Sequence, residues 1–192
     1  GTTGGVFKSP DNGIHWALTN QGLPAPATSF AIDHQTPTTL YAATEHGVFK
    51  SFDSAQTWIA KNNGITNRAT STITVNPLTP TTLYVGTTST FDNSGIFTST
   101  DGGETWSPAN TGLPANPGDR ISISTLAIDP KTPTILYAGV NANNSNSPGH
   151  PIPFSNIFKS TDGGVTWSVS GNLPISPLNS IFSLAIDPKT PT

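Results

Sequence analysis

Short runs of alternating apolar and polar residues recur along the whole chain, each bounded by Gly, Pro, Asn or Asp. Runs of this length, rich in β-branched and aromatic residues, predict strands. No window carries the 3.6-residue period of an amphipathic helix. Two patterns repeat. The first, Ser-x-Asp-x-Gly-x-Thr-Trp, runs from Ser9 to Trp16, Ser51 to Trp58, Ser99 to Trp106 and Ser160 to Trp167. The second, an apolar-Ala-Ile-Asp-Pro segment, a Thr-Pro-Thr turn and Leu-Tyr-Ala-Gly, covers Phe30–Thr44, Ile73–Thr87 and Leu126–Val140, with a further start at Leu184. Successive Trp residues are 42, 48 and 61 positions apart. The shortest spacing fits one four-stranded unit, and the others fit such a unit plus insertions.

The strands read as A (Ser29–Asp33, Thr72–Asn76, Thr125–Asp129, Ser183–Asp187) and B (Thr39–Ala43, Thr82–Gly86, Ile135–Gly139). Strand C follows at Gly47–Ser51, Gly95–Ser99 and Asn156–Ser160, and strand D at Thr57–Ala60, Thr105–Ala109 and Thr166–Ser170. Gly5–Ser9 and His15–Thr19 are a C and a D strand standing alone. Asp11, Asp53, Asp101 and Asp162 fall where a tight C–D turn needs a side-chain acceptor for backbone N–H groups. Gly103 and Gly164 supply the φ > 0 position of such a turn. Trp16, Trp58, Trp106 and Trp167 follow, placed to return into the core against the next unit. Four equivalent aspartates argue for turn-holding, since a catalytic residue is needed once.

These motifs resemble the Asp-box (bacterial neuraminidase repeat) β-propeller superfamily, best at Ser99–Trp106 and Ser160–Trp167. That superfamily includes sialidases, xyloglucanase-type hydrolases, sortilin-type receptors and photosystem II stability-factor-type proteins. Ala55 in place of Gly and His15 in place of Thr depart from the pattern and predict distortion of those two turns. The resemblance implies an all-β propeller of four-stranded antiparallel blades: 29–62, 71–110 and 123–171 complete, with one blade split between remnants 1–19 and 181–192. Residues 1–192 then read as a single propeller segment of a larger chain, or as a unit completed by a neighbour, because an unfinished blade exposes donors and acceptors that template pairing.

Composition narrows the partners. Only 10% of residues are charged and the net charge is −3, so no basic field exists for nucleic acid or an anionic membrane. There is no cysteine, which removes disulfides and thiolate chemistry, and no apolar run long enough to span a bilayer. The chain also lacks methionine, which suits a mature or excised piece. Its Thr/Ser/Asn-rich, lysine-poor surface suits an exported bacterial protein, whether extracellular, on the cell surface or periplasmic.

The A–B and C–D turns share one face and are nearly invariant. The B–C loops (Thr44–His46, Thr87–Ser94, Val140–Ser155) vary and share the other face with the D–A loops, which is where binding residues collect. Candidates there are Glu45, His46, Phe91, Asp92, Asn93, His150 and Phe154, with Arg68, Asp119 and Arg120. Two arginines, and three tyrosines (Tyr41, Tyr84, Tyr137) at one equivalent core position, do not make a sialidase site. A hydrolase needs two carboxyls about a glycosidic bond, for which Asp92 and Asp119 are the weak candidates. The four histidines show no ligand spacing, so neither metal nor cofactor is expected. The leading reading is a non-enzymatic scaffold that binds protein or polysaccharide. The alternatives are a fragment of a secreted glycoside hydrolase and a subunit that self-associates through its unfinished blade.

Overall fold

A computed structural model describes residues 1–2, 4–24, 26–88, 94–114, 120–143, 154–171 and 180–191; at 120, 142, 143 and 154 it describes the backbone alone. A hairpin, β1 (Phe7–Lys8) and β2 (Ala17–Leu18), comes first. The first blade holds β3 (Ala27–Ile32), β4 (Leu40–Thr44), β5 (Gly47–Ser51) and β6 (Ile59–Ala60). The second holds β7 (Thr70–Val75), β8 (Leu83–Thr87), β9 (Ile96–Ser99) and β10 (Ser107–Pro108). The third holds β11 (Arg120–Ile128), β12 (Leu136–Asn143), β13 (Phe154–Ser160) and β14 (Ser168–Val169). Each blade is a four-stranded antiparallel sheet in chain order, and no described residue is helical. The chain is a β-propeller built of these blades.

The blades share one register. Ser29 pairs with Ala43, Thr72 with Gly86 and Thr125 with Gly139, each just after a β-bulge at the same place. Those bulges let the A strands begin earlier than the sequence pattern suggests, at Ala27, Thr70 and Arg120. The third ladder also runs further: Arg120 pairs with Asn143, and Ala142 with Phe154. Arg120 and Phe154 therefore stand at strand ends, not in free loops. The D strands shrink to two residues because the Trp that opens each one gives its N–H to the preceding unit. Trp58 donates to the Gln21 carbonyl, Trp106 to Asn63 and Trp167 to Thr111. Ser183–Asp187 forms no ladder. Its neighbourhood is held by Asn141, whose side chain exchanges two bonds with the Ile181 backbone, and by the Lys131 ammonium on the Lys189 carbonyl.

The core lies between blades rather than within them. Tyr41, Ala43, Val48 and Ile65 of the first blade close over Ile73, Val75, Leu83, Val85, Phe97 and Trp106 of the second. Tyr84, Ile96, Ala109 and Leu113 do the same for Ile123, Leu136, Ala138, Val140 and Trp167 of the third. A smaller cluster, Val6, Leu23, Ala42, Phe49, Ala55 and Trp58, joins the hairpin to the first blade. Burial of this kind is the dominant favourable contribution to folding.

Candidate binding site

The four Asp-containing turns are built alike. In the second blade the Ser99 hydroxyl donates to Asp101 Oδ1 (2.8 Å) and accepts the Gly103 N–H (2.9 Å). Asp101 Oδ1 also accepts the Thr105 N–H (2.9 Å), and Oδ2 accepts the Thr105 hydroxyl (2.5 Å). Ser51, Asp53, Ala55 and Thr57 repeat the pattern, as do Ser160, Asp162, Gly164 and Thr166. In the hairpin His15 stands in for Thr: its N–H donates to Asp11 Oδ1 (2.8 Å), and its Nδ1 lies 2.5 Å from Asp11 Oδ2. Neither departure from the motif distorts its turn. Ala55 adopts φ 72° and Ser54 φ 61°, close to the 88° of Gly103 and 73° of Gly102, and accepts the strain. Ser54→Gly is accordingly expected to stabilise the protein by about 0.5–1 kcal/mol, read as a raised urea midpoint.

These bonds favour the ionised carboxylates. The Thr57 hydroxyl and N–H, with Ser51, hold Asp53 down at about 2, and Thr166 with Ser160 does the same for Asp162, also about 2. Asp101 is held well below the ordinary carboxylate range by Thr105 and Ser99. A depressed folded-state pKa contributes stability that is complete above the unfolded value near 4 and lost as pH falls through the folded value. The urea midpoint is therefore expected to hold steady from neutrality to about pH 5 and to fall between pH 4 and 2. Thr57→Val and Thr105→Val together should weaken that dependence, since each removes a hydroxyl donor.

The same turns couple successive blades. The Tyr41 hydroxyl donates to the Gly102 carbonyl (3.2 Å), joined there by Lys50 Nζ (2.8 Å), and the Tyr84 hydroxyl donates to Gly163 (2.8 Å). Running the other way, the Trp58, Trp106 and Trp167 indoles donate to the carbonyls of Thr19, Lys61 and Ala109 at 3.0, 2.9 and 2.9 Å. Burial, with Asp33 and Glu104 nearby, pushes the Tyr41 hydroxyl up to about 12, so it stays a donor. The two outer members of the series differ. Trp16 is 62% exposed and its indole donates to Gly13 in its own turn. Tyr137 is half-buried, not core like Tyr41 and Tyr84; Lys159 sits over its ring at 5.2 Å, and the two line a concavity with Ser170.

Of the loop candidates, Glu45, His46 and Arg68 are described, and all three are exposed. The Thr44 N–H on the Thr70 hydroxyl, returned by that hydroxyl to the Thr44 carbonyl, brings the β4–β5 turn beside the segment carrying Arg68. His46 Nδ1 lies 3.9 Å from Glu45 Oε1. Phe91, Asp92, Asn93, Asp119 and His150 lie outside the described residues, and of Arg120 and Phe154 only the backbone is placed. The sequence reading missed two asparagines, after the D strands of the first and second blades, that hold the starts of the C strands: Asn62 Oδ1 accepts the Val48 N–H and Asn110 Oδ1 the Ile96 N–H, both at 2.7 Å. The recurring Asn-x-Gly at 20–22, 62–64 and 110–112 was their signal.

An apolar groove lies elsewhere, between the hairpin and the first blade. It measures about 450 Å³, in the range of ligand sites. Trp16, Phe30, Ile32, Leu40 and Trp58 give it an apolar wall, with Lys8, Ser54 and Ala55 at one end. Phe30 and Trp58 meet at a tilted 6.2 Å. Among the described residues, no Asp, Glu or His lines it.

No family model matches the chain, and no curated protein matches it. Among solved structures it is similar to an ancestral GH74 enzyme, at 13% identity and a TM-score of 0.48, over 88% of this chain and 28% of that one. It is similar to a GH74 enzyme of Niastella koreensis, at 20% identity and a TM-score of 0.48, over 85% of this chain and 33% of that one. It is also similar to a YCF48 structure bound to a D1 peptide, at 12% identity and a TM-score of 0.46, over 88% of this chain and 76% of that one. The chain thus spans about a third or less of the two GH74 enzymes.

Proposed function

We propose that this chain is an exported binding or assembly scaffold and not a catalyst. The observation that carries this reading is the groove: it is apolar and aromatic, and among the described residues no carboxylate or imidazole lines it. General acid–base hydrolysis needs two placed carboxyls. The turn carboxylates are each engaged by a hydroxyl or imidazole and a backbone N–H, which suits fixed turns better than proton transfer. A polypeptide or polysaccharide segment is the class of partner such a surface suits. Incubation with xyloglucan, β-glucans and sialosides is expected to release no sugar. Turnover that disappears in Asp92→Asn or Asp119→Asn would replace the scaffold with a glycoside hydrolase.

A second reading, head-to-tail self-association, has its own observation. Tyr137, Lys159 and the Ser170 carbonyl match Tyr41, Lys50 and the Lys61 carbonyl, and the Ser9–Trp16 turn matches the turn those groups engage. Light scattering showing mass that grows with concentration, and that Trp16→Ala abolishes, is its expected signature. A constant monomer mass at high concentration removes it.

A further inference from the structure

The joint between the first two blades holds a lysine that such a joint does not need. Lys50 pairs with Tyr41 across the β4–β5 ladder, and the shared register puts Thr98 at the same place beside Tyr84. Thr98 turns its hydroxyl to the Leu83 carbonyl of its own blade, and the Tyr84 hydroxyl holds Gly163 at 2.8 Å. In the first blade Lys50 Nζ joins the Tyr41 hydroxyl on Gly102, at 2.8 and 3.2 Å. A joint therefore closes without a lysine, and Lys50 is open to another task.

Its surroundings disfavour the ammonium. Lys50 is 8% exposed, and Nζ lies 5.2 Å from the Tyr41 ring centroid and 4.7 Å from that of Phe52. Its hydrogen bond goes to a neutral carbonyl, whereas Lys61 meets the Glu104 carboxylate at 2.6 Å. Burial lowers the Lys50 pKa; Lys61 adds to this, and Glu104, Asp33 and Asp101 oppose it. A desolvated lysine spends more time as the neutral amine, which is the nucleophilic form. A carbonyl acceptor suits that form too, since one N–H stays on Gly102 and the lone pair is left unengaged. Beside it opens a concavity of about 270 Å³, which Lys50 lines with Asp33, Thr39, Tyr41, Thr81 and Asp101. That is just below the usual size of ligand sites, so its ligand is small.

Going beyond the scaffold reading, and independently of it, we propose that Lys50 is a carbonyl-capturing amine and that this concavity takes a small neutral aldehyde. The amine adds to the carbonyl carbon, and a C–N bond forms. The carbonyl oxygen then leaves as water with both amine hydrogens, so an imine remains and nothing is oxidised or reduced. The Tyr41 hydroxyl, on the same Gly102 oxygen as Nζ, is placed to lend the departing oxygen a proton and to recover one from nitrogen. That hydroxyl is protonated at neutral pH, its pKa pushed up to about 12. Asp33 and Asp101 on the wall disfavour an anionic aldehyde.

The probe is propanal, added to the 192-residue protein at pH 7 with cyanoborohydride in excess to trap the imine as a propyl amine. Peptide mapping by mass spectrometry then gives the alkylation rate at each lysine. Lys50 is expected to react several-fold faster than every other lysine. That lead should shrink as the pH is raised to 10, where the exposed lysines also become neutral, and vanish in urea, where Lys50 is no longer buried. Tyr41→Phe should slow Lys50 several-fold and leave the other lysines unchanged. Alkylation of Lys50 no faster than that of the exposed Lys131, or a lead that survives in urea, overturns the proposal. Both readings come from the native chain, so neither depends on a variant that folds.

Discussion

Gly112→Ala and Gly64→Ala are each expected to cost about 3 kcal/mol or more, enough to unfold much of a marginally stable domain. Both glycines hold left-handed backbone, at φ +90° and +94°. An L residue there carries roughly 1–2 kcal/mol of strain. The larger part is steric. A Cβ would lie 2.0 Å from the carbonyl oxygen of Trp167 or Trp106, and that oxygen belongs to the backbone of the next blade. It cannot rotate away as a side chain would. Relief means pushing the blades apart, which breaks the Trp N–H bonds to Thr111 and Asn63 and opens the apolar seam behind them. Gly171→Ala is the control. Its φ is +75° but no described residue lies within 4 Å of an added Cβ, so only the strain, about 1 kcal/mol, is expected. Urea denaturation of the three variants separates the contributions, and equal losses in all three would show that the close approach is not there.

The second large effect is expected at Trp106. Trp106→Ala should cost about 3–5 kcal/mol, through lost burial and the cavity left behind. The side chain is 4% exposed, packs in the cluster between the first and second blades, and donates its indole N–H to the Lys61 carbonyl. Trp16→Ala, the same substitution at the equivalent position of the hairpin, should cost under about 1 kcal/mol, because that ring is 62% exposed and bonds only within its own turn. One motif residue thus carries very different weight according to whether a blade lies behind it. Chemical denaturation followed by far-UV circular dichroism measures both, since loss of the tryptophan leaves that signal intact.

Much of the architecture is written in short-range pattern. The Ser-x-Asp-x-Gly-x-Thr-Trp turns and the Leu-Tyr-Ala strands place every blade because each uses only local backbone geometry. The ends of the strands are not written that way. The A strands start early at Ala27 and Thr70 because a bulge absorbs one residue, and Thr, Ser and Ala carry no alternation to announce it. The D strands start late, after Trp58, Trp106 and Trp167, because these residues give their amides to another blade, a long-range choice. Ala55 and His15 were read as breaks in the motif, yet a methyl group fits at φ 72° and an imidazole nitrogen replaces a hydroxyl. The groove was the least legible feature. Phe30 and Ile32 look like core residues in sequence, as their counterparts Ile73 and Val75 are, and only the absence of a covering strand among the described residues turns them into a surface. Of the loop candidates, the turn carrying Glu45 and His46 lies beside the segment carrying Arg68. Their side chains are exposed, although side-chain acceptors hold the backbone beside them: Thr44 takes the His46 N–H and Asn67 the Ala69 N–H.

The repeated turns of the three blades are joints between blades, made by the tryptophans, whereas the hairpin's Trp16 bonds within its own turn. The most direct test is hydrogen exchange of the four indole N–H groups, followed by NMR under native conditions. The indoles of Trp58, Trp106 and Trp167, bonded across blades, should exchange slowly, through large-scale opening, and Trp16 should exchange orders of magnitude faster. Four indoles exchanging at similar rates would contradict it.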